Sequence, residues 1–198
     1  MNHVAVIVPK LRFSEPCHNL PGRKGMATLE DRFTISFMRA YLDQSRSIHR
    51  RSRKTTLAFA RQIPVNGYGI ADLHVVAWEG IPEEVFPDAK SFVRVAHPCT
   101  RAFECKMTDW RKAMAQAGRY RFFANQTFIV IPNHACSIAL AYLETFKKIR
   151  VGLWSFSQET GKITPHYTPQ VMAAKSERYY LHAIESVARA SRQSLPIP

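Results

Sequence analysis

Apolar and polar positions divide the chain into segments of helical and of strand period. Leu29, Phe33, Phe37 and Tyr41 recur every fourth residue, with Met38 and Leu42 beside them. That is the stripe of an amphipathic helix running to about residue 44, with Thr28 as its N-cap. Residues 55–63 and 70–78 have strand character and flank Pro64, Asn66 and Gly67, which mark a tight connection. Residues 91–96 and 102–107 read as extended, interrupted around Pro98. A helix is predicted over about 109–124, capped by Thr108, then a continuously apolar strand of the buried kind at 127–131. Another helix is predicted from Pro132 and Asn133, with Ala135, Ile138, Ala139, Tyr142, Phe146 and Ile149 in its stripe. It closes on Lys147, Lys148 and Arg150, which suit the negative end of a helix dipole. Residues 151–168 predict a hairpin turning at 159–162, and a last helix spans about 169–192. Residues 1–26, with Pro16, Pro21, Gly22 and Gly25, predict a short strand and a loose arm. The order helix, three strands, helix, strand, helix predicts an α/β fold, a mixed central sheet flanked by helices.

Composition narrows the class. The chain has 198 residues, 46% of them hydrophobic, enough for one compact domain (1–198) with a core. No apolar run approaches the roughly 18–20 residues of a membrane span. The short run Val4 to Val8 meets Pro9, Lys10 and Arg12 and lacks a secretory cleavage pattern, so a cytoplasmic protein is expected. Cys17, Cys99, Cys105 and Cys136 form no CxxC pair and read as free thiols. Cys17, His18, His97 and Cys99 carry soft ligand atoms but lack the paired spacing of structural zinc. The net charge of +13 favours a polyanionic partner, nucleic acid ahead of an acidic membrane surface. The most basic stretch, Arg46, Arg50, Arg51, Arg53 and Lys54 with His49 among them, reads as an exposed loop, either solubilising or phosphate-contacting.

Three features carry candidate chemistry. Asp72 follows Gly69-Ile70-Ala71 at the start of a strand. In Phe103-Glu104-Cys105-Lys106, strand alternation puts Glu104 and Lys106 on one face and Phe103 and Cys105 on the other. On the helix that follows, Gln116 and Tyr120 lie four apart and share a face with Lys112, while Trp110, Met114 and Ala117 form the face expected on the sheet. Two carboxylates offer hard oxygen ligands to Mg²⁺ or Mn²⁺, and a neighbouring ammonium can stabilise charge on a phosphate. Each feature alone has a plain alternative: a surface ion pair, a turn aspartate, an ordinary helix face.

Gly69-Ile70-Ala71-Asp72, Glu104-Cys105-Lys106 and Gln116 to Tyr120 resemble, in order, the GhhD, (D/E)hK and QxxxY motifs of the RecB-like branch of the PD-(D/E)XK nuclease superfamily. The resemblance covers roughly residues 28–150. It implies a restriction-endonuclease-like αβββαβ core, here with a C-terminal hairpin and helix, and metal-dependent hydrolysis of phosphodiester bonds. By position, Asp72, Glu104 and the backbone carbonyl of Cys105 would hold the metal, with Glu30 of the first helix as a further ligand. Lys106 would be the catalytic lysine, and Gln116 and Tyr120 would lie near the phosphate. Glu30 also suits the first turn of a helix for dipole reasons alone. The chain departs from the family at Ala71, where the eponymous proline would stand, and in the long gap from Asp72 to Glu104. Upstream of GhhD, His49 is the histidine on offer.

Several residues stay open between a site and a packing role. His74 shares the face of Asp72, and could touch the site or be satisfied in the core. Arg50, Arg51, Arg53, Lys112 and Arg119 are the candidate nucleic-acid contacts, with Arg101, Arg111 and Arg121 as further cations. Trp154 and Phe156 read as hairpin packing rather than base stacking. The leading expectation is a nuclease acting on DNA, alone, as a homodimer or with a protein partner. The alternatives are an inactive or partner-dependent nucleic-acid-binding module on the same fold, and a basic structural or ribosome-associated protein.

Overall fold

The computed structural model describes residues 11–12, 28–49, 55–79 and 85–192, with the side chains of 11–12, 46–49, 85 and 191–192 excepted. In chain order the elements are β1 (Leu11–Arg12), α1 (Leu29–His49), β2 (Thr55–Val65), β3 (Gly69–Glu79), β4 (Val85–Phe86), α2 (Ala89–Ala96), β5 (Cys99–Cys105) and α3 (Trp110–Tyr120). There follow β6 (Gln126–Pro132), a 3-10 turn (Asn133–Ala135), α4 (Cys136–Leu140), α5 (Leu143–Ile149), β7 (Gly152–Phe156), β8 (Ile163–Tyr167) and α6 (Glu177–Arg192). Six strands form one open mixed sheet in the order β2-β3-β5-β6-β7-β8. β5, β6 and β7 run parallel, and the outer pairings are antiparallel. β1 and β4 pair separately.

Each face of the sheet has its own core. On one, α1 lays Phe33, Phe37 and Tyr41 over Phe103, Phe128, Trp154 and Phe156, an aromatic layer with ring centroids about 5–6 Å apart. On the other, the small residues Ala113 and Ala117 let α3 approach closely, and α6 adds Ala183, Ile184 and Val187. β6 is buried at every position, as its continuous apolar run requires. No helix among the described residues is long and apolar enough to cross a membrane.

The main expected elements form, with five corrections. α1 continues to His49, so Arg46 and His49 lie on a helix and not in a loop. Residues 91–96 are helical, not extended: Asp88 caps α2 by accepting from the Ser91 amide at 2.7 Å, and Phe92 anchors it on Trp78 and Phe86. α3 is capped by Asp109, not Thr108, and ends at Tyr120. The long helix expected after Pro132 is broken at Ala141 and Tyr142 into α4 and α5. The last helix starts only at Glu177. The residues before it form a strap whose amides at Met172, Lys175 and Ser176 bond the carbonyls of Asn125, Arg121 and Phe122.

Candidate active site

Two strands bring two acids together. The β3–β5 register pairs Leu73 with Phe103 and His74 with Ala102, so one further step sets Asp72 opposite Glu104. Facing residues of an antiparallel pair share a side and hold their Cβ atoms about 4.5–5.5 Å apart. Asp72 Oδ2 accepts from the Cys105 amide at 2.9 Å, which ties the acid to the end of β5. On the other flank of Asp72 the β2–β3 ladder is broken. Arg61 pairs with Leu73 and Ile63 with Ala71, but Gln62 between them is left-handed, with φ of 51°. A non-glycine residue held there beside the acids is local strain of the kind found at functional sites.

Glu104 is almost fully buried. Tyr120 carries its hydroxyl to Glu104 Oε2 at 2.5 Å and to the Ile70 carbonyl at 2.7 Å. A phenol has one proton to donate and here meets two acceptors. Both contacts are hydrogen bonds when Glu104 is itself protonated and donates to the Tyr120 oxygen. The backbone beneath the ring turns at Gly69, whose φ of 104° suits glycine and whose absent Cβ would lie in ordinary contact with Tyr120 Cε1, at 3.4 Å.

The N-terminus of α1 supplies the rest. Thr28 and Asp31 form a reciprocal cap: the Asp31 amide donates to Thr28 Oγ1, and the Thr28 amide donates to Asp31 Oδ2, both at 3.1 Å. Asp31 Oδ1 also accepts from Arg61 Nη2 at 3.3 Å, and Arg61 is buried on β2. The helix start is thereby pinned to the sheet. Glu30 beside it reaches Lys106, whose Nζ lies 2.6 Å from Glu30 Oε1 and 3.3 Å from Glu104 Oε1.

The electrostatics follow from this crowding. Burial, then the Asp72 charge, pushes Glu104 up to about 7, against the opposing Tyr120 bond and Lys106 charge. Burial also raises Asp72, opposed chiefly by the Cys105 amide. Burial works to lower Lys106, but its bond to Glu30 and the charges of Glu104 and Asp72 outweigh it, and the ammonium is held charged. Asp31 is lowered, first by its bond to Thr28. Four acids, Glu30, Asp31, Asp72 and Glu104, thus surround two cations, Lys106 and Arg61. Fully ionised, the cluster carries four negative charges against two positive, an excess of two within a chain of +13.

This donor set suits a hard divalent cation: facing carboxylates, an excess of two negative charges on full ionisation, and, among the described residues, no thiol or imidazole hydrogen-bonded to them. Among the described residues, no three His, Cys, Asp or Glu side chains form a ready-made cage. The Cys105 thiol is buried in the α1-side core, and burial raises it well above its ordinary value. The zinc alternative finds no support among the described residues: His97 caps α2, Cys99 lies beside Arg101, and Cys17 and His18 lie outside them.

Of the expected Gln116–Tyr120 face Tyr120 alone is bonded into this cluster, and the other expected contacts lie apart from it. Tyr120 is buried with Ala113 and Ala117 rather than on an open face, Gln116 is half-buried and Met114 only partly buried. Lys112 is exposed and paired with Asp109 at 3.1 Å. Arg119 is exposed. Arg101 is not a surface contact: it donates to Gln126 at 3.0 Å and to Tyr41 at 2.7 Å. Arg121 donates to the Ile149 carbonyl, and Arg111 lies over Trp110 and Tyr142. Arg50, Arg51 and Arg53 lie outside the described residues. His74 neither joins the site nor finds a hydrogen bond among the described residues. Burial lowers it to about 4, and it packs on Phe123 as neutral imidazole. Phe156 and Trp154 are core residues. Arg61, Asp31 and Gln62 were not singled out from sequence. An arginine and its partner thirty positions earlier leave no periodic signal. No known family model, curated protein or solved structure matches the chain.

Proposed function

We propose that the chain is a nuclease of PD-(D/E)XK type, hydrolysing phosphodiester bonds, of DNA by preference, with Mg²⁺ or Mn²⁺. The observation that carries this reading is the acidic cluster itself. A strongly basic chain gathers four acids around Lys106 and Arg61 where β3 begins and β5 ends, and full ionisation of that cluster leaves two negative charges unmatched. The succession α1-β2-β3-β5-α3-β6 supports a restriction-endonuclease-like core, with β4 and α2 filling the long gap between Asp72 and Glu104.

In this reading Asp72, Glu104 and the Cys105 carbonyl hold the ion. Mg²⁺ is commonly bound through one or two carboxylates with several waters, so two facing acids suffice without a three-side-chain cage. The bound ion supplies Lewis acidity and charge neutralisation at the phosphate. Lys106 keeps its proton and adds fixed positive charge beside the reacting group. Glu30 orients Lys106. Tyr120 holds Glu104 in one rotamer and donates its proton to that carboxylate once Glu104 is ionised. Cys105 fixes Asp72 through its amide.

The 2.6 Å Glu30–Lys106 contact favours a second reading, a silent or partner-dependent nucleic-acid-binding module, because it occupies the ammonium. The deciding experiment is cleavage of single-stranded, duplex and branched DNA with Mg²⁺, with and without chelator, by the parent, Lys106→Ala and Asp72→Ala. The nuclease reading expects metal-dependent cleavage lost in both variants. Cleavage that persists in both rules it out. Salt-dependent binding with no cleavage by the parent establishes the second reading.

A further inference from the structure

Beside the acidic cluster lies a group of rings that the chemistry above does not use. Tyr68, in the β2–β3 turn, stacks on Phe122 with centroids 4.4 Å apart and planes at 27°, and meets Tyr179 of α6 edge-on at 4.5 Å. All three rings are partly exposed. Two cations sit over them: Lys175 Nζ lies 5.1 Å from the Phe122 centroid, and the Arg178 guanidinium 5.8 Å from that of Tyr179. The rings come from three separate segments, two of them tied to each other by backbone bonds. The Lys175 and Ser176 amides donate to the Arg121 and Phe122 carbonyls, and the Tyr68 amide closes its turn on Val65. The Phe122 and Tyr179 segments are therefore held against each other, and the ring contacts of Tyr68 join its turn to them.

Tyr68 is four residues from Asp72. Tyr68 lies in the turn, so at about 3.3 Å per extended residue the two are at most roughly 13 Å apart, within four steps of a strand at the roughly 3.4 Å rise per base. Between them Ile70 is 52% exposed, while its carbonyl takes the Tyr120 hydroxyl of the cluster. Beyond Tyr179 a cleft of about 710 Å³ opens, lined by Asn66, Lys90, Arg178 and His182 together with two acids, Glu177 and Glu185.

We infer that Tyr68, Phe122 and Tyr179 form a stacking shelf for the bases of single-stranded nucleic acid, delivering that strand to the Asp72–Glu104 site. The inference rests on the nuclease reading for what the strand meets there, but not for its binding. Proteins hold single strands without reading sequence by pairing cations along the phosphates with aromatic faces on which bases stack, and here the exposed Lys175 and Arg178 side chains would leave the ring faces for the phosphates as bases take their place. A duplex offers no such purchase, since its base faces are covered by their neighbours. The overall charge of +13 and the placing of Lys175 and Arg178 favour a polyanion over a protein partner.

The test is binding of a labelled oligonucleotide to the full chain in chelator, so that cleavage plays no part. The single strand is compared with its own duplex over a range of salt. The shelf expects the parent to prefer the single strand at least tenfold. Phe122→Ala and Tyr179→Ala should each weaken it about tenfold with the salt slope unchanged. Tyr179→Phe should bind as the parent does, and exposed Lys175→Ala should reduce the salt slope by about one. Cooperative thermal unfolding of each variant checks its fold. Equal affinity for strand and duplex, or parent-like single-strand binding by folded Phe122→Ala and Tyr179→Ala, overturns the shelf. Should an alanine variant fail to fold, Lys175→Ala and the strand-over-duplex ratio decide alone. Loss of cleavage in Lys106→Ala with single-strand binding intact separates failure of the shelf from failure of the nuclease reading.

Discussion

The two ends of β5 are built on opposite principles. At the amino end Thr100 and Arg101 are tied by side-chain hydrogen bonds. The Thr100 amide and hydroxyl both meet Asn125 Oδ1, at 2.8 and 3.1 Å, and the Asn125 amide returns a bond to Thr100 Oγ1. Arg101 divides its donors between Gln126 and Tyr41. At the carboxyl end, four residues on, Glu104 faces Asp72 and both are pushed toward protonation, first by burial and, for Glu104, next by its neighbour's charge. The first network carries a single charge, that of Arg101, held by neutral acceptors, and it stabilises the fold. The second is short of positive charge, a condition that costs stability and is relieved only by something added. Perturbed, like-charged carboxylates cluster where chemistry is done.

Removing a polar group should therefore have opposite effects at the two ends. The largest effect is expected for Asp72→Asn. It keeps an oxygen for the Cys105 amide but removes a metal-binding charge, and cleavage should fall a hundredfold or more. Thermal unfolding in chelator should stay level or move upward, because a buried like-charge contact is gone. A variant both inactive and markedly unstable would show the acids to be structural. At the other end, Asn125→Ala strips buried Thr100 of its acceptor and also breaks the Asn125 Nδ2 bond to Met172. Denaturant unfolding should show a loss of about 1–3 kcal/mol, with cleavage per folded molecule unchanged.

The comparison also explains what could be read from sequence. Alternation put Glu104 and Lys106 on one side and Cys105 on the other, and the sheet keeps them so. The stripe through Phe33, Phe37 and Tyr41 marked the α1 face for the same reason, since period and burial are local properties. Segment 91–96 went wrong because its β-branched and aromatic residues suit a strand, while the Asp88 cap and the single anchor Phe92 decide for a helix. The Arg61–Asp31 clamp is a tertiary contact over thirty residues, invisible to any window. The Tyr120 hydroxyl could be placed on a helix face but not against a buried glutamate, because tilt of the helix on the sheet sets that meeting.

A third, smaller effect separates the two ends by pH. Glu104 has an ordinary value of 4.5 and is raised to about 7 in the fold, by burial and then by Asp72. Between those values the folded chain binds more protons than the unfolded one, so this group's contribution to stability is full below about 4.5 and declines as pH rises through 7. Glu104→Gln cannot titrate. In chelator, its unfolding free energy minus that of the parent should grow from pH 4.5 to 8. Gln126→Ala, at the other end, should show a difference flat across the same range. A flat difference for Glu104→Gln would mean that the carboxylate is comfortably ionised in the fold, and that the carboxyl end is no more frustrated than the amino end.

The smallest effect tests how the acidic end is held in place. Thr28 caps α1 through the Asp31 amide, and its hydroxyl donates to Asp31 Oδ2 at 2.8 Å, so it carries no charge of its own but bonds one acid of the cluster. Thr28→Ala should cost about 1 kcal/mol, the usual worth of such a cap. Asp31→Asn weakens the cap and also the ion pair with buried Arg61, leaving that guanidinium underpaired, so it should cost more. In both variants amide exchange should quicken at residues 29–33 before it does elsewhere in α1. If the clamp holds Glu30 against Lys106, cleavage should fall a few-fold in step with that fraying, while the Asn125→Ala variant, destabilised at the far end of β5, leaves those amides as slow as in the parent.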